Sequence, residues 1–330
     1  MNAPLGRSGL LVSPHGLGTM TWGRETDVHE ATEMLELFVA AGGTYLDTAP
    51  WFGEGRAEEV AGQAVRAVGR EGLVIASHGG RRPDPERPVD TSRAHLLPAL
   101  DASLRTLGVD AVDVWFIDRW DPQTPVEEVL LTMDIAVRSG RTRYVGIGNH
   151  SAWQLARIAS LAGTAIPLVA SSVEYSLVQR GIEREHLIAA MALGVAVVPW
   201  SPLGRGVLTG KYRTGVPADS RAASPVWGRW VQEHLDGRAR RVVEAVATAA
   251  SGLGLAPIDV ALAWSRGRRG TVAPLLGPRT VGQLRVALAN VDLDLPEEIM
   301  QALDDVSAIE RQYPDPAPVD LRRTDPTDLG

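Results

Sequence analysis

The sequence predicts an α/β protein folded as a (β/α)8 TIM barrel, and three features carry that reading. Short apolar or β-branched runs alternate with amphipathic helical stretches along the whole chain, the rhythm of parallel strands joined by right-handed crossovers. Several runs, VDVWFI among them, are apolar throughout, as strands covered on both faces must be. The 330 residues suit one such barrel, so residues 1–330 are read as a single domain.

Taken in order, residues 5–12 form a turn-rich segment read as an N-terminal hairpin plugging the barrel bottom. The eight strands are placed at 15–20, 44–47, 73–77, 112–117, 144–148, 168–173, 195–199 and 271–274. Helices are placed between them at 28–41, 57–68, 92–107, 126–139 and 152–161. Gly42, Gly108 and Gly140 follow three of these, as C-terminal stop signals do. Residues 201–234, rich in Gly, Pro, Arg and Trp, make a long loop after strand seven, and loops of that length are usually functional. Residues 312–330, rich in Pro and Asp, read as a loosely ordered tail. An open doubly wound sheet is the competing topology, but no GxGxxG follows the first strand.

A net charge of -7 without blocks of like charge argues against nucleic acid or an anionic membrane as partner. The absence of a long apolar run or leader-like start points to a cytoplasmic protein, monomeric or homo-oligomeric, acting on a small molecule. With no cysteine, disulfides, thiol nucleophiles and thiolate metal sites are excluded.

Four motifs are specific: GLGTMTWG at 16–23, TYLDTAPWFGEGRAEE at 44–59, WSPLGRGVLTGKY at 200–212 and LLGPRTVGQL at 275–284. In this order and spacing the chain resembles the aldo-keto reductases, over roughly residues 5–309. The branch it resembles holds potassium-channel β subunits, bacterial reductases and nucleotide-deoxysugar reductases. The resemblance implies NADP(H) across the C-terminal mouth. Trp200 would stack on the nicotinamide, and Ser201, Leu203 and Gly206 would follow the pyrophosphate, where glycine permits close approach. Lys211 and Arg279 would face phosphate, the planar arginine fork suiting a 2′-phosphate. Thr19, Met20, Asn149, Ser172, Gly277 and Gln283 complete the implied cofactor set.

The family's Asp, Tyr, Lys and His gather around a carbonyl oxygen. Here only the aspartate remains, as Asp47; the other three positions hold Phe52, His78 and Asp118. The sole lysine, Lys211, already belongs to a cofactor motif, and of the tyrosines only Tyr313, in the tail, is free to fold over the mouth. Ordinary carbonyl reduction is therefore not expected. The amide contacts thin out as well, with Gly148 in place of a family serine and Ser172 in place of a glutamine. Two of the three replacements are nonetheless titratable groups at strand ends. An imidazole and two carboxylates in one cleft can divide acid and base roles, so Asp47, His78 and Asp118 are the catalytic candidates. Asp118 in an apolar cleft is read as a protonated carboxyl able to polarise an enone. No metal site is expected. Trp22, Trp51, Phe52, Trp120, Trp227 and Trp230 would wall a roomy apolar substrate pocket. His150 and His186, at helix starts, read as capping or exposed groups.

Three functions remain open at this level. The first is an NADP(H)-linked oxidoreductase of non-standard mechanism, acting in biosynthesis on an enone or sugar-type substrate. The second is a non-redox lyase, isomerase or cyclase using His78 with Asp118 or Asp47, since a barrel does not fix its chemistry. The third is an inactive cofactor-binding or sensor protein.

Overall fold

The computed structural model describes residues 2–323 apart from 219, 226, 236, 311, 314 and 316–318. Strands β1 (Ala3–Pro4) and β2 (Leu11–Val12) form the N-terminal hairpin. Its Leu5 is fully buried among Val74, Val114, Val169 and Ala196 of the barrel interior, so the hairpin closes one end of the barrel as expected.

The barrel strands are β3 (Gly16–Gly18), β4 (Tyr45–Asp47), β5 (Val74–Gly79), β6 (Val112–Asp118), β7 (Thr142–Gly148), β8 (Leu168–Glu174), β9 (Ala196–Trp200) and β10 (Leu275–Leu276). They form one parallel eight-stranded sheet in the order β10-β3-β4-β5-β6-β7-β8-β9. Closure between the outer strands comes from a bridge between Val197 and Thr271. The last strand was read at 271–274, yet β10 begins at Leu275. Pro274 has no N–H to give a ladder and Ala273 sits at φ +48°, so Thr271 and Val272 pair with Val197 while Leu275 and Leu276 pair with Gly16 and Leu17.

Around the sheet lie α1 (Val28–Ala40), α2 (Ala57–Val68), α3 (Arg93–Leu107), α4 (Val126–Arg138), α5 (Ala152–Ala162), α6 (His186–Leu193), α7 (Gly228–Gln232), α8 (Gly237–Leu253), α9 (Pro257–Arg266), α10 (Val281–Leu288) and α11 (Glu297–Ser307). Local chemistry sets their starts: Asp27 accepts from the Glu30 N–H, Ser151 and Gln154 form a capping box, and Pro257 opens α9, each satisfying or dispensing with an orphan N–H.

Within the tail read at 312–330, Leu321 and Arg323 are tied to the barrel. Leu321 is buried in the core, the Arg269 N–H donates to Leu321 O at 2.8 Å, and the Arg323 N–H donates to Gly267 O at 2.8 Å. Residues 324–330 lie outside the described residues. Tyr313 is fully exposed.

His150 and His186 are buried rather than exposed caps, because the start of a barrel helix packs against the strand before it. His150 Nδ1 lies 2.9 Å from Gly148 O, and His186 Nε2 lies 3.0 Å from Ser171 Oγ. His15 is buried with neither ring nitrogen hydrogen-bonded. Burial pushes all three imidazoles down to about 4, with Arg266 adding to the effect at His15. Folding therefore holds them neutral, while the unfolded chain takes up their protons near pH 6.5. The stability they contribute is complete above about pH 6.5 and is lost as pH falls toward about 4. At about 1.4 kcal/mol for each tenfold change in proton affinity, a loss of up to about 3 kcal/mol for each of these histidines is expected. A melting temperature that falls over this window, with a shallower slope in His186→Gln, is the predicted result; equal slopes would dissociate the effect from His186.

Candidate active site

Period-two alternation brings the catalytic candidates to one layer at the mouth. Tyr45 on β4, Val74 and Ala76 on β5, and Val114 and Phe116 on β6 face the barrel interior. Asp47, His78 and Asp118 continue those same faces at the strand ends. All three are buried, at 3%, 7% and 2% exposure. His78 Nε2 lies 3.0 Å from Asp47 Oδ1. A carboxylate can only accept, so Nε2 carries the proton and Nδ1 is the nitrogen left for chemistry. Nδ1 keeps solvent access and bonds to no described residue. Burial opposes the imidazolium, but the charge and hydrogen bond of Asp47, aided by Asp118, outweigh it. The pKa of His78 is thus raised, against a smaller contrary pull from Arg81. The ring stacks on Phe116 at 4.8 Å and 16°. Trp51 and Phe52 stand at 6.1 and 6.5 Å.

Asp118 is not arranged as a proton donor. Its Oδ2 accepts from Arg81 Nε at 2.6 Å and its Oδ1 from Asn149 Nδ2 at 2.6 Å. Asn149 Oδ1 in turn accepts from Trp200 Nε1 at 3.1 Å. Both carboxylate oxygens are thus engaged as acceptors, which corrects the expectation of a protonated carboxyl aimed at substrate. The replacement at Gly148 is coupled to this chain. β6 and β7 align Phe116 with Gly146 and Asp118 with Gly148. A Cβ on Gly148 would lie 2.6 Å from Asp118 Oδ1, and one on Gly146 would lie 2.4 Å from Phe116. The Asp118 carboxylate as placed therefore leaves no room for a Cβ at 148. Residues just past the ends of β6, β7 and β9, namely Arg119, Asn149 and Ser201, hold left-handed backbone at φ +69°, +57° and +53°, a conformation concentrated at functional sites.

The other half of the mouth concentrates positive charge. Lys211 lies with its Nζ 3.3 Å from where a Gly206 Cβ would be, so the backbone at Gly206 (φ +93°) can approach an anion only as glycine. Desolvation of its ammonium, partly offset by Tyr212, and repulsion from Arg279 and Arg221 lower the pKa of Lys211. Burial and Arg279 lower that of Arg221 likewise. Three mutually repelling cations beside exposed Gly277 fit a phosphate-bearing cofactor. Gln283 Oε1 accepts from the Arg279 N–H at 2.9 Å and lies exposed at the start of α10. Ser172 is buried, Leu203 and Met20 are half-buried, and Thr19 is fully buried with its hydroxyl unpartnered. Thr19 therefore lies beneath the surface it was expected to line.

Among the expected pocket walls, Trp22 is fully buried in the hydrophobic core and does not line the mouth. Trp120 packs edge-on against Trp153 at 5.1 Å. Trp227 and Trp230 pack at 5.7 Å, and Trp230 stacks on Trp200 at 6.4 Å and 20°. Four functional-site residues escaped the sequence reading: Arg81, Arg205, Arg221 and Trp153. Arg81, Arg205 and Arg221 lie in loops following strands, where arginines are too frequent in this chain to single out, and Trp153 lies in the first turn of α5.

A buried acid–imidazole pair and a cation cluster thus stand together at the C-terminal mouth of a (β/α)8 barrel. The sequence profile of the aldo/keto reductase family matches residues 15–308, and the chain belongs to that family. It is 33% identical over 320 residues to a probable voltage-gated potassium channel subunit beta of Oryza sativa subsp. japonica, covering 94% of this chain and 96% of the relative. It is 33% identical over 318 residues to a probable voltage-gated potassium channel subunit beta of Arabidopsis thaliana, covering 90% and 96%. With the uncharacterized oxidoreductase YrpG of Bacillus subtilis it shares 31% identity over 315 residues, covering 92% and 94%. Among the described residues no single helix is long and apolar enough to cross a membrane.

Proposed function

We propose that this protein is an NADP(H)-linked oxidoreductase in which His78, oriented by Asp47, replaces the family's tyrosine and lysine as the proton donor. The observation that carries the reading is the 3.0 Å bond from His78 Nε2 to Asp47 with Nδ1 left accessible. A bound nicotinamide supplies hydride. Asp47 fixes the imidazole and favours its charged form, so Nδ1–H can protonate the oxygen of a carbonyl reduced at its carbon, or the α carbon of an enone reduced at its β carbon. Phe116 supports the ring from below, while Trp51 and Phe52 exclude water on either side. Asp118 holds Asn149, which holds Trp200, so the acid chain orients the stacking tryptophan. Lys211, Arg221 and Arg279 would bind the cofactor phosphates. The aromatic walls favour a ring-bearing small molecule, of enone or sugar type.

Following cofactor fluorescence while titrating NADPH tests the premise. Micromolar binding is expected, weakened about 10–100-fold by Lys211→Ala, as befits loss of a charge-assisted contact. Absence of binding at millimolar NADPH would remove the redox reading. The thin contacts at Gly148 and Ser172 would then favour a lyase, isomerase or cyclase working through the same dyad.

A further inference from the structure

Neutralising Asp118 engages only one nitrogen of Arg81. An arginine can pair with a buried carboxylate fork to fork, as Arg205 does with Glu174 at 2.7 Å on both oxygens, or through one nitrogen, as Arg143 does with Asp113 at 2.7 Å. Arg81 touches Asp118 through Nε alone, and neither Nη hydrogen-bonds to any described residue. Its guanidinium lies over the Trp51 ring at 5.1 Å, its side chain is 33% exposed, and Trp51 packs edge-on against His78.

The backbone beneath it is fixed. Arg81 bridges Val89 in an antiparallel pair. The Asp90 N–H donates to Gly80 O at 2.8 Å, and the Arg82 N–H donates to Pro88 O at 3.1 Å. His95 Nε2 lies 3.2 Å from Arg81 O. Asp90 accepts from Arg82 at 3.0 Å and Asp121 from Arg87 at 3.3 Å, tying the loop to the sequence after β6. Arg119, 55% exposed, adds a second cation 3.9 Å from Asp118. The loop after β5 thus presents two unpaired N–H edges, pre-oriented by Asp118 and stacked on an aromatic face, with the Trp51 ring between them and the His78 imidazole.

We infer that Arg81 is a carboxylate clamp, and that the substrate is a carbonyl compound bearing a carboxylate which the two Nη groups of Arg81 grip while Trp51 packs its ring. The inference rests on the mouth being the substrate site, as proposed above, and adds the charge of the substrate. A planar guanidinium with both Nη groups open matches a carboxylate bidentately, which an ammonium cannot do.

The probes are 4-formylbenzoate and its methyl ester, which share ring and aldehyde and differ in the charge. Calorimetric titration is run with and without NADP+, and also on Lys211→Ala to separate binding at the phosphate cluster. Wild type is expected to bind the acid about 10–100-fold more tightly than the ester. Arg81→Ala should abolish the preference, and Arg81→Lys should restore only part of it. Should Arg81→Ala fold poorly, Arg81→Gln gives the same readout. Equal affinities in wild type, undetectable binding of the acid at millimolar concentration, or a preference surviving in Arg81→Ala or lost only in Lys211→Ala would each overturn the clamp. A preference for the acid without NADPH oxidation keeps the clamp and removes the redox reading. NADPH oxidation by acid and ester alike, unchanged in Arg81→Ala, does the reverse.

Discussion

Phe52→Tyr combined with His78→Lys is expected to replace the imidazole donor by a tyrosine donor in the reduction of a reactive aldehyde by NADPH, with kcat/KM about 10²–10⁴-fold above that of His78→Ala, which has neither donor, the usual worth of general acid catalysis. The geometry is favourable. Phe52 stands 6.5 Å from His78, centroid to centroid, and is half-buried, so a hydroxyl added at the ring tip meets a polar mouth. His78 already bonds to Asp47 at 3.0 Å, which gives a lysine ammonium the carboxylate it needs to avoid being a buried unpaired charge. Steady-state assays on 4-nitrobenzaldehyde, with folding checked by circular dichroism, give the answer. A folded, NADPH-binding double variant with no gain would show that the departures at Gly148 and Ser172 block hydride transfer independently of the donor. Restoring a serine at 148 is not a simple remedy, because its Cβ would collide with the Asp118 carboxylate; Asp118 would have to be replaced with it.

Arg205→Met should destabilise the fold by about 3–5 kcal/mol, the cost of breaking a buried ion pair by removing one partner. Arg205 is 7% exposed and bridges both oxygens of Glu174 at 2.7 Å, Glu233 at 2.7 Å and the Trp230 carbonyl. Its guanidinium lies over Trp230 at 4.4 Å. Glu174 keeps His234 at 3.1 Å, so the loss falls mainly on the long loop after β9. Burial raises the pKa of Glu174, but its bonds to His234 and Arg205 prevail and hold it below the usual range. The stability it contributes is present above about pH 4.5 and lost as pH falls through the lowered value, and this acid-sensitive part should shrink in the variant. Urea unfolding together with the KM for NADPH measures both consequences. A change below about 1 kcal/mol, at the level of an exposed pair, would show that Arg205 does not brace the loop.

Two of the departures from the family pattern, His78 and Asp118, are tied in space to residues the pattern retains. His78 meets Asp47, 31 residues away. As placed, Asp118 leaves no room for a Cβ at 148 and recruits Asn149 and Trp200.

The sequence by itself determined the barrel, the bounds of the five helices it placed to within one residue, and the strand-end positions of Asp47, His78 and Asp118, because periodicity and stop signals are local properties that one stretch of chain carries whole. α2 lies at Ala57–Val68 as read, and α1 and α4 end one residue short of the reading. Tertiary structure alone decided which groups are buried and which polar atoms meet. Trp22 and Thr19 sank into the core, His150 and His186 were covered, and the tail docked at Leu321. The state of Asp118 was likewise set by Arg81 and Asn149, from loops after two other strands. Long guanidiniums reach partners that no spacing rule encodes, and burial depends on what the rest of the chain lays over a residue.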